Sequence, residues 1–186
     1  MPATEERTFG GQTQVAPLRR VLVRAPNPVD LRVHVLALAD LAREDVPDSV
    51  ARAMRHVTDA GLDKRIRIEA REIPSMPYVE EFDLVYMQDA LHELPDPVAS
   101  LKAAWKAVRA GGRLLVFEWC LPSSLEDSQN LQAQLMWGIQ IDELYQGTRM
   151  YTHDGYDKMF AEAEVPPPSV VELPSGASLF VVARPA

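Results

Sequence analysis

Histidine, amide and carboxylate side chains follow two apolar stretches of the sequence, residues 82–87 and 113–117. The residues concerned are Gln88, Asp89, His92 and Glu93 after the first stretch and Glu118 after the second. An imidazole has an ordinary pKa of about 6.5, so it can accept a proton near neutral pH, and a nearby carboxylate can orient the ring. If the two stretches lie side by side, these residues predict a site for acid–base chemistry.

The two stretches have the pattern of neighbouring buried strands. Both are compact apolar runs bounded by polar residues, which is typical of strands in a parallel sheet. Between them, Asp96 and Pro97 predict the start of a helix, and Gly111 and Gly112 predict its end. A strand–helix–strand order requires a right-handed crossover, so both strands end at the same edge of the sheet, where ligands of such sheets bind.

Helices and strands alternate on both sides of this unit. The sequence predicts candidate strands at 20–24 and 31–36, a helix at 47–61, a strand at 65–69, helices at 129–145 and 153–163, and strands at 170–173 and 179–183. In the helix at 129–145, the predicted core residues are Leu131, Leu135, Ile139 and Ile141. Only a short turn separates the last two strands, which predicts an antiparallel hairpin.

The length and composition indicate one globular domain. The 186 residues predict a single domain over 1–186, with an atypical N-terminal region (1–44) and a core (45–186). The net charge of −8 argues against nucleic acid as a partner, because such binding needs a basic face. No apolar run reaches the roughly 18 residues of a membrane-spanning helix, so no membrane partner is expected. The single cysteine, Cys120, favours a cytoplasmic location, and no histidine or carboxylate pair has a metal-ligand spacing, so no metal is expected.

Four strings of the sequence, in this order and at this spacing, resemble one protein family. They are DVPDSVARAMRHVTDAGLDKRIRI (45–68), FDLVYMQDALHELPDP (82–97), LKAAWKAVRAGGRLLVFEWCLPSS (101–124) and GTRMYTHDGYDKMFAEAEV (147–165). From about residue 45 to 184 the chain resembles the class I S-adenosylmethionine (SAM)-dependent methyltransferases, especially the small-molecule O-methyltransferases. The resemblance implies an α/β, Rossmann-like methyltransferase fold: a mostly parallel sheet flanked by helices, with a C-terminal antiparallel hairpin and a truncated or atypical first-strand region.

The resemblance also implies roles for the residues that follow the two apolar stretches. In O-methyltransferases a histidine just past the fourth strand removes the proton of the acceptor hydroxyl, and His92 occupies that place. A glutamate at the end of the fifth strand, here Glu118, orients this base, and Glu93 or Asp89 would support it. The alternative is that His92 only packs against or caps the following helix, as in family members that methylate carbon or nitrogen.

For the cofactor, SAM, the resemblance implies a glycine-rich turn after the first strand. One candidate is Gly10 with Gly11, but the residues before them are too polar for a buried strand. The other is the segment after a first strand at 20–24, which contains two prolines and no glycine. The carboxylate that binds the ribose hydroxyls would be Asp45, with Asp40 as the alternative. Two further cofactor contacts are expected from Glu72 and Gln88.

Three interpretations follow from this sequence. The first is an active methyltransferase that O-methylates a small aromatic or lipophilic metabolite. The second is a non-catalytic or repurposed relative that no longer binds SAM. The third is a shortened reading of a longer enzyme, because members of the family carry an N-terminal helical dimerisation domain to which nothing here corresponds. The oligomeric state is therefore left open.

Overall fold

The secondary structure follows the predicted alternation of strands and helices. The computed structural model describes residues 20–24, 32–37, 46–124, 126–145 and 147–186. Its strands are β1 (Arg20–Arg24), β2 (Arg32–Ala37), β3 (Ile66–Ala70), β4 (Phe82–Gln88), β5 (Val108–Glu118), β6 (Cys120–Leu121), β7 (Tyr151–Thr152), β8 (Ser169–Glu172) and β9 (Ser178–Ala183). Its helices are α1 (Val46–Asp59), α2 (Pro97–Ala107), α3 (Leu131–Tyr145) and α4 (His153–Glu162), with 3₁₀ turns at Ile73–Ser75, Leu91–Glu93 and Asp127–Gln129. Within these ranges, none of the helices has the length and apolar character needed to cross a membrane.

A seven-stranded sheet in the order β3-β2-β1-β4-β5-β9-β8 forms the centre of the fold. β2 pairs in parallel with β3, and β4 pairs in parallel with β5. β9 runs antiparallel to both β5 and β8. This sheet, flanked by helices and closed by a C-terminal hairpin, confirms the predicted Rossmann-like α/β fold.

The first strand, β1, is atypical because it runs antiparallel to both of its neighbours. Arg20, at its start, pairs with Met87 near the carboxyl end of β4, and Val23 pairs with Leu84 near the amino end. The carboxyl end of β1 therefore lies at the edge of the sheet opposite to the carboxyl ends of β4 and β5. This arrangement agrees with the predicted atypical first-strand region.

The unit formed by β4, α2 and β5 holds the predicted site strands together. The Asp96 carboxylate accepts a hydrogen bond from the amide of Ala99 at 2.9 Å, which caps the start of α2 as predicted. The helix ends at Ala107, so the prediction that it continues to the two glycines was wrong: Gly111 and Gly112 lie within β5. Glycine is required at 112 for a packing reason, since a Cβ atom there would lie 2.9 Å from two backbone oxygens.

The core lies between the sheet and the apolar faces of α2 and α4. Its largest fully buried side chains include Phe82, Leu101, Leu114, Tyr156, Phe160 and Phe180.

The predicted core positions of α3 were wrong. Leu131, Leu135, Ile139 and Ile141 are all exposed. The helix instead buries Ala133, Met136 and Gln140. The physical reason is that its described neighbours, chiefly β6 and the 3₁₀ turn that precedes the helix, cover only a narrow face. Gln140 belongs to that face because its side-chain oxygen accepts the amide of Met150 at 2.7 Å.

Candidate active site

His92 lies at the edge of the sheet where β4 and β5 end together. Met87 pairs with Val116, and Gln88 pairs with Phe117, so the two carboxyl ends are side by side as predicted. The chain then turns at Asp89, whose φ of 47° is in the left-handed region and whose amide donates to the carbonyl of Phe117 at 2.7 Å. The 3₁₀ turn Leu91–Glu93 follows directly and carries His92, which is buried.

Glu118, the last residue of β5, binds both this turn and the histidine ring. One carboxylate oxygen, Oε1, accepts the amides of Ala90 at 3.0 Å and Leu91 at 2.6 Å. The other oxygen, Oε2, accepts His92 Nδ1 at 2.6 Å and the hydroxyl of Tyr156 at 3.1 Å. The side chain is completely buried, so four donors replace the water that a carboxylate would otherwise bind.

The hydrogen bond to Glu118 determines which nitrogen of His92 can act as a base. Because Nδ1 donates to a carboxylate, the neutral ring carries its lone pair on Nε2. That nitrogen lies 3.8 Å from Glu93 Oε1 and 3.9 Å from Glu143 Oε2, and Nδ1 lies 3.9 Å from Asp89 Oδ1. The imidazole is thus surrounded by four carboxylates in the described part of the chain, and Glu118 binds it at hydrogen-bond distance.

This environment raises the pKa of His92 above its ordinary value. Burial is the largest single influence and lowers the pKa, because it disfavours the charged ring. The hydrogen bond and charge of Glu118, together with the charges of Asp89 and Glu143, outweigh burial. The imidazolium formed when Nε2 takes a proton is therefore stabilised by the site.

The structure brings together the residues that the sequence selected for catalysis. His92 and Glu118 are in direct contact, and Glu93 and Asp89 lie close to the ring. The burial of His92 against Glu118 is also consistent with the alternative, in which His92 has only a packing role. Its catalytic role therefore stays a prediction.

Two residues of the site were missed by sequence reasoning. Glu143 comes from α3, and its carboxylate also accepts the hydroxyl of Thr148. Tyr156 comes from α4, 38 residues after Glu118 in the sequence. No local pattern marks either residue, since each meets the site only through the packing of its helix.

The predicted cofactor residues are only partly covered by the described chain. Gln88 and Glu72 are exposed; Gln88 ends β4, next to the site, and Glu72 follows β3. Gly10, Gly11, Asp40 and Asp45 lie outside the described residues.

At the edge where β4 ends, exposed side chains offer hydrogen-bond acceptors for the polar groups of SAM. The side chain of Asp89 is 43% exposed, and Gln88 beside it is also accessible. Their oxygens are acceptors of the kind that ribose hydroxyls and an ammonium group need, so these residues fit the polar parts of SAM. The carboxyl end of β1, from which the glycine-rich turn departs in the family, lies at the opposite edge and does not contribute to this fit.

Two sets of three side chains at the site place potential metal-ligand atoms within 4.8 Å of one another: Asp89, His92 and Glu118, and His92, Glu93 and Glu143. In the first set the proximity is explained by hydrogen bonding, because His92 Nδ1 and both oxygens of Glu118 already bind each other or protein donors. In the second set the ligand atoms are close because Glu93 and Glu143 lie 3.8 Å and 3.9 Å from His92 Nε2. The expectation that the protein needs no metal stays a prediction.

A cavity of about 500 Å³ lies near the end of β5, and His92 is not among the residues that line it. Its walls include Cys120, Met136, His153, Glu172 and Ser178. Burial, the largest influence, raises the pKa of the Cys120 thiol to about 12, so this residue is not a thiolate nucleophile at neutral pH.

The fold and the site define a methyltransferase domain. Residues 44–164 match the methyltransferase domain family, and the chain belongs to that family. No curated protein matches the chain in sequence.

Solved structures of methyltransferases share this fold. The apo form of the S-adenosylmethionine-dependent methyltransferase SibL is 23% identical, with a TM-score of 0.62, over 84% of this chain and 44% of that chain. An O-methyltransferase family 2 protein from Planctomyces limnophilus, in complex with apigenin, is 19% identical, with a TM-score of 0.59, over 74% of this chain and 41% of that chain. Geranyl diphosphate methyltransferase in complex with SAM is 14% identical, with a TM-score of 0.61, over 82% of this chain and 68% of that chain. The chain thus spans less than half the length of the first two proteins.

Proposed function

We propose that this protein is a SAM-dependent methyltransferase that methylates a hydroxyl group of a small aromatic or lipophilic molecule, with His92 as the general base. The observation that carries the proposal is the buried contact between His92 Nδ1 and Glu118 at 2.6 Å, which leaves the Nε2 lone pair as the basic atom of the ring. Membership of the methyltransferase family supports the choice of reaction. A hydroxyl acceptor fits this site because its oxygen must lose a proton as it is methylated.

Four residues of the site have separate roles in removing the proton of the acceptor hydroxyl. When bound, SAM would supply a methyl group from its positively charged sulfur, which would keep the electron pair of the broken carbon–sulfur bond. His92 Nε2 would accept the proton that the acceptor hydroxyl loses. Glu118 holds the ring in the required tautomer and stabilises the imidazolium that forms. Glu93 and Glu143, both close to Nε2, add negative charge beside the proton that has been taken up.

A relative without catalytic function is the second candidate, and the burial of the pair formed by His92 and Glu118 argues against it. Taking a carboxylate and an imidazole out of water is costly, and a well-packed apolar pair is often at least as stable. A buried polar pair of this cost, placed at the edge where ligands of such sheets bind, supports a chemical role for the imidazole.

The test of the base is the replacement His92→Ala. We expect the rate of methyl transfer to fall about 10²-fold or more, because a positioned general base contributes 10²–10⁴-fold. The assay measures transfer from methyl-labelled SAM to the simple phenol on which the parent protein is most active. His56→Ala, in the last turn of α1, is the matched control and should leave the rate unchanged. A rate in His92→Ala equal to that of the control would rule out the proposed base.

Cofactor binding separates the two candidate functions. Calorimetry with SAM and S-adenosylhomocysteine should show a dissociation constant below about 1 mM, equivalent to roughly 4 kcal/mol of binding free energy. The absence of binding heat at millimolar ligand would instead favour the repurposed relative.

The remaining assignments rest on composition. The net charge of −8 supports a small-molecule acceptor rather than nucleic acid. The single cysteine supports a cytoplasmic location.

A further inference from the structure

Among the described donors to Glu118, Tyr156 is the one that comes from an α-helix. It lies on α4, is completely buried, and packs its ring against Phe180 at 5.1 Å and Tyr151 at 5.7 Å between ring centroids. Its hydroxyl reaches Glu118 Oε2 at 3.1 Å, the same oxygen that accepts His92 Nδ1. Two donors therefore share one carboxylate oxygen, and only one of them is the proposed base.

We infer that Tyr156 is a positioning residue that limits how strongly Glu118 binds the protonated ring of His92, and so keeps His92 available as a base near neutral pH. This inference rests on the proposed function, in which His92 must be neutral before it can accept a proton. Nothing in the sequence marks Tyr156 for this role, which follows only from the shared oxygen.

The physical argument depends on competition for the charge of one oxygen. A donor that binds a carboxylate oxygen withdraws part of its negative charge, so the oxygen offers less to a second donor. The tyrosine keeps its proton, because burial, followed by the charge of Glu118, raises the pKa of Tyr156 well above its ordinary value. It is therefore a permanent donor, whose presence weakens the hold of Glu118 on the imidazolium at every pH near neutrality.

Every other described group that faces His92 acts in the opposite direction. These groups are Glu118 on β5, Asp89 in the turn after β4, Glu93 in the 3₁₀ turn and Glu143 on α3. All four are carboxylates, which stabilise the protonated ring when they are ionised. The amides of Ala90 and Leu91 withdraw charge from Oε1 of Glu118, and Tyr156 adds a donor on Oε2, the oxygen that binds the ring. Without this donor, the site would hold His92 protonated and inactive over a wider range of pH.

Tyr156→Phe tests the inference, since it removes the hydroxyl and keeps the ring that packs against Phe180. We expect the NMR titration midpoint of the His92 ring to move to higher pH in this variant. Methyl transfer at pH 7 should fall about threefold or more and recover at higher pH, because a base is lost in proportion to its protonation. Tyr78→Phe is the matched control: it also removes a tyrosine–glutamate hydrogen bond, of 2.9 Å to Glu69, and should leave the His92 midpoint unchanged.

The NMR experiment keeps this inference distinct from the proposed function because it needs no methyl transfer. An unchanged or lower His92 midpoint in Tyr156→Phe would overturn the role of Tyr156, whereas an unaffected rate in His92→Ala would overturn the base itself. If Tyr156→Phe does not fold, 3-fluorotyrosine at position 156 provides the second measurement. Fluorination makes the phenol a stronger donor, so the His92 midpoint should then move to lower pH, and a move in the other direction would contradict the inference.

Discussion

Replacing Glu118 by glutamine removes the charge of the carboxylate while almost preserving its shape. The native carboxylate accepts two donors on each oxygen: the amides of Ala90 and Leu91 on Oε1, and His92 and Tyr156 on Oε2. A glutamine has only one acceptor oxygen, and its NH₂ group is itself a donor. The amides of Ala90 and Leu91 can only donate, so the amide oxygen should stay on their side. The NH₂ group then faces His92, which must change tautomer, and Tyr156, which must rotate its hydroxyl, in order to accept from it.

The expected destabilisation follows from the loss of charge on the acceptor. A hydrogen bond to a charged group contributes about 1.5–3 kcal/mol and a neutral one about 0.5–1.5 kcal/mol, so exchanging four charge-assisted bonds for neutral ones in Glu118→Gln should lower the free energy of unfolding by about 4–6 kcal/mol. That is a large part of the 5–15 kcal/mol that typically stabilises a domain. Urea unfolding at pH 7, followed by circular dichroism, measures the difference directly.

Glu80→Gln is the matched control for this experiment. It makes the same chemical change in an exposed ion pair, in which Glu80 lies 2.8 Å from Arg184. Exposed pairs contribute at most about 1 kcal/mol, so this variant should unfold near the parent. If Glu118→Gln were no less stable than Glu80→Gln, the carboxylate could not be the anchor of the turn that carries His92.

Three further predictions concern the pH dependence of stability, the packing of two glycines, and a buried compared with an exposed leucine. Because the pKa of His92 is raised in the folded protein, its protonation stabilises the fold; that contribution is complete below the unfolded pKa of about 6.5 and is lost as pH rises through the folded-state pKa. The free energy of unfolding should therefore fall over this interval in the parent, and a similar fall in His92→Gln would contradict the assignment. Gly112→Ala should lower stability by about 1–3 kcal/mol through overpacking, whereas Gly138→Ala, in open space on α3, should raise it by up to about 1 kcal/mol in thermal or urea unfolding. Leu101→Ala, in the core, should cost about 2–5 kcal/mol, but Leu131→Ala, at a residue 73% exposed, should stay within about 0.5 kcal/mol; equal losses would mean that α3 is covered.

The contact between His92 and Glu118 could be predicted from the sequence because both residues lie where consecutive strands end. The apolar runs at β4 and β5 mark buried strands, and Asp96 marks the helix between them. A helical crossover between neighbouring strands makes them parallel, so the two strands end at the same edge of the sheet. His92 and Glu118 therefore come close together although they are 26 residues apart, and the family resemblance indicated that they would pair.

The direction of β1 and the buried face of α3 could not be predicted in this way. A short apolar strand has the same pattern in either direction, so nothing in residues 20–24 distinguishes parallel from antiparallel pairing. In α3, apolar residues occur on every side of the helix, so the pattern does not single out one face. The buried face is instead defined by Gln140, a polar residue that is buried because it binds the backbone amide of Met150.

The site is therefore built in two parts that should respond differently to substitution. Glu118 fixes both the turn that carries His92 and the ring itself, so a change at the sheet edge must affect stability and catalysis together. Glu143 and Tyr156 come from α3 and α4, and they act on His92 only through charge and hydrogen bonding. Changes in these helices that preserve packing should therefore move the pH dependence of the reaction while leaving the fold intact. Substitutions in the helices can therefore change the proton affinity of His92 without moving its ring, whereas Glu118 controls both.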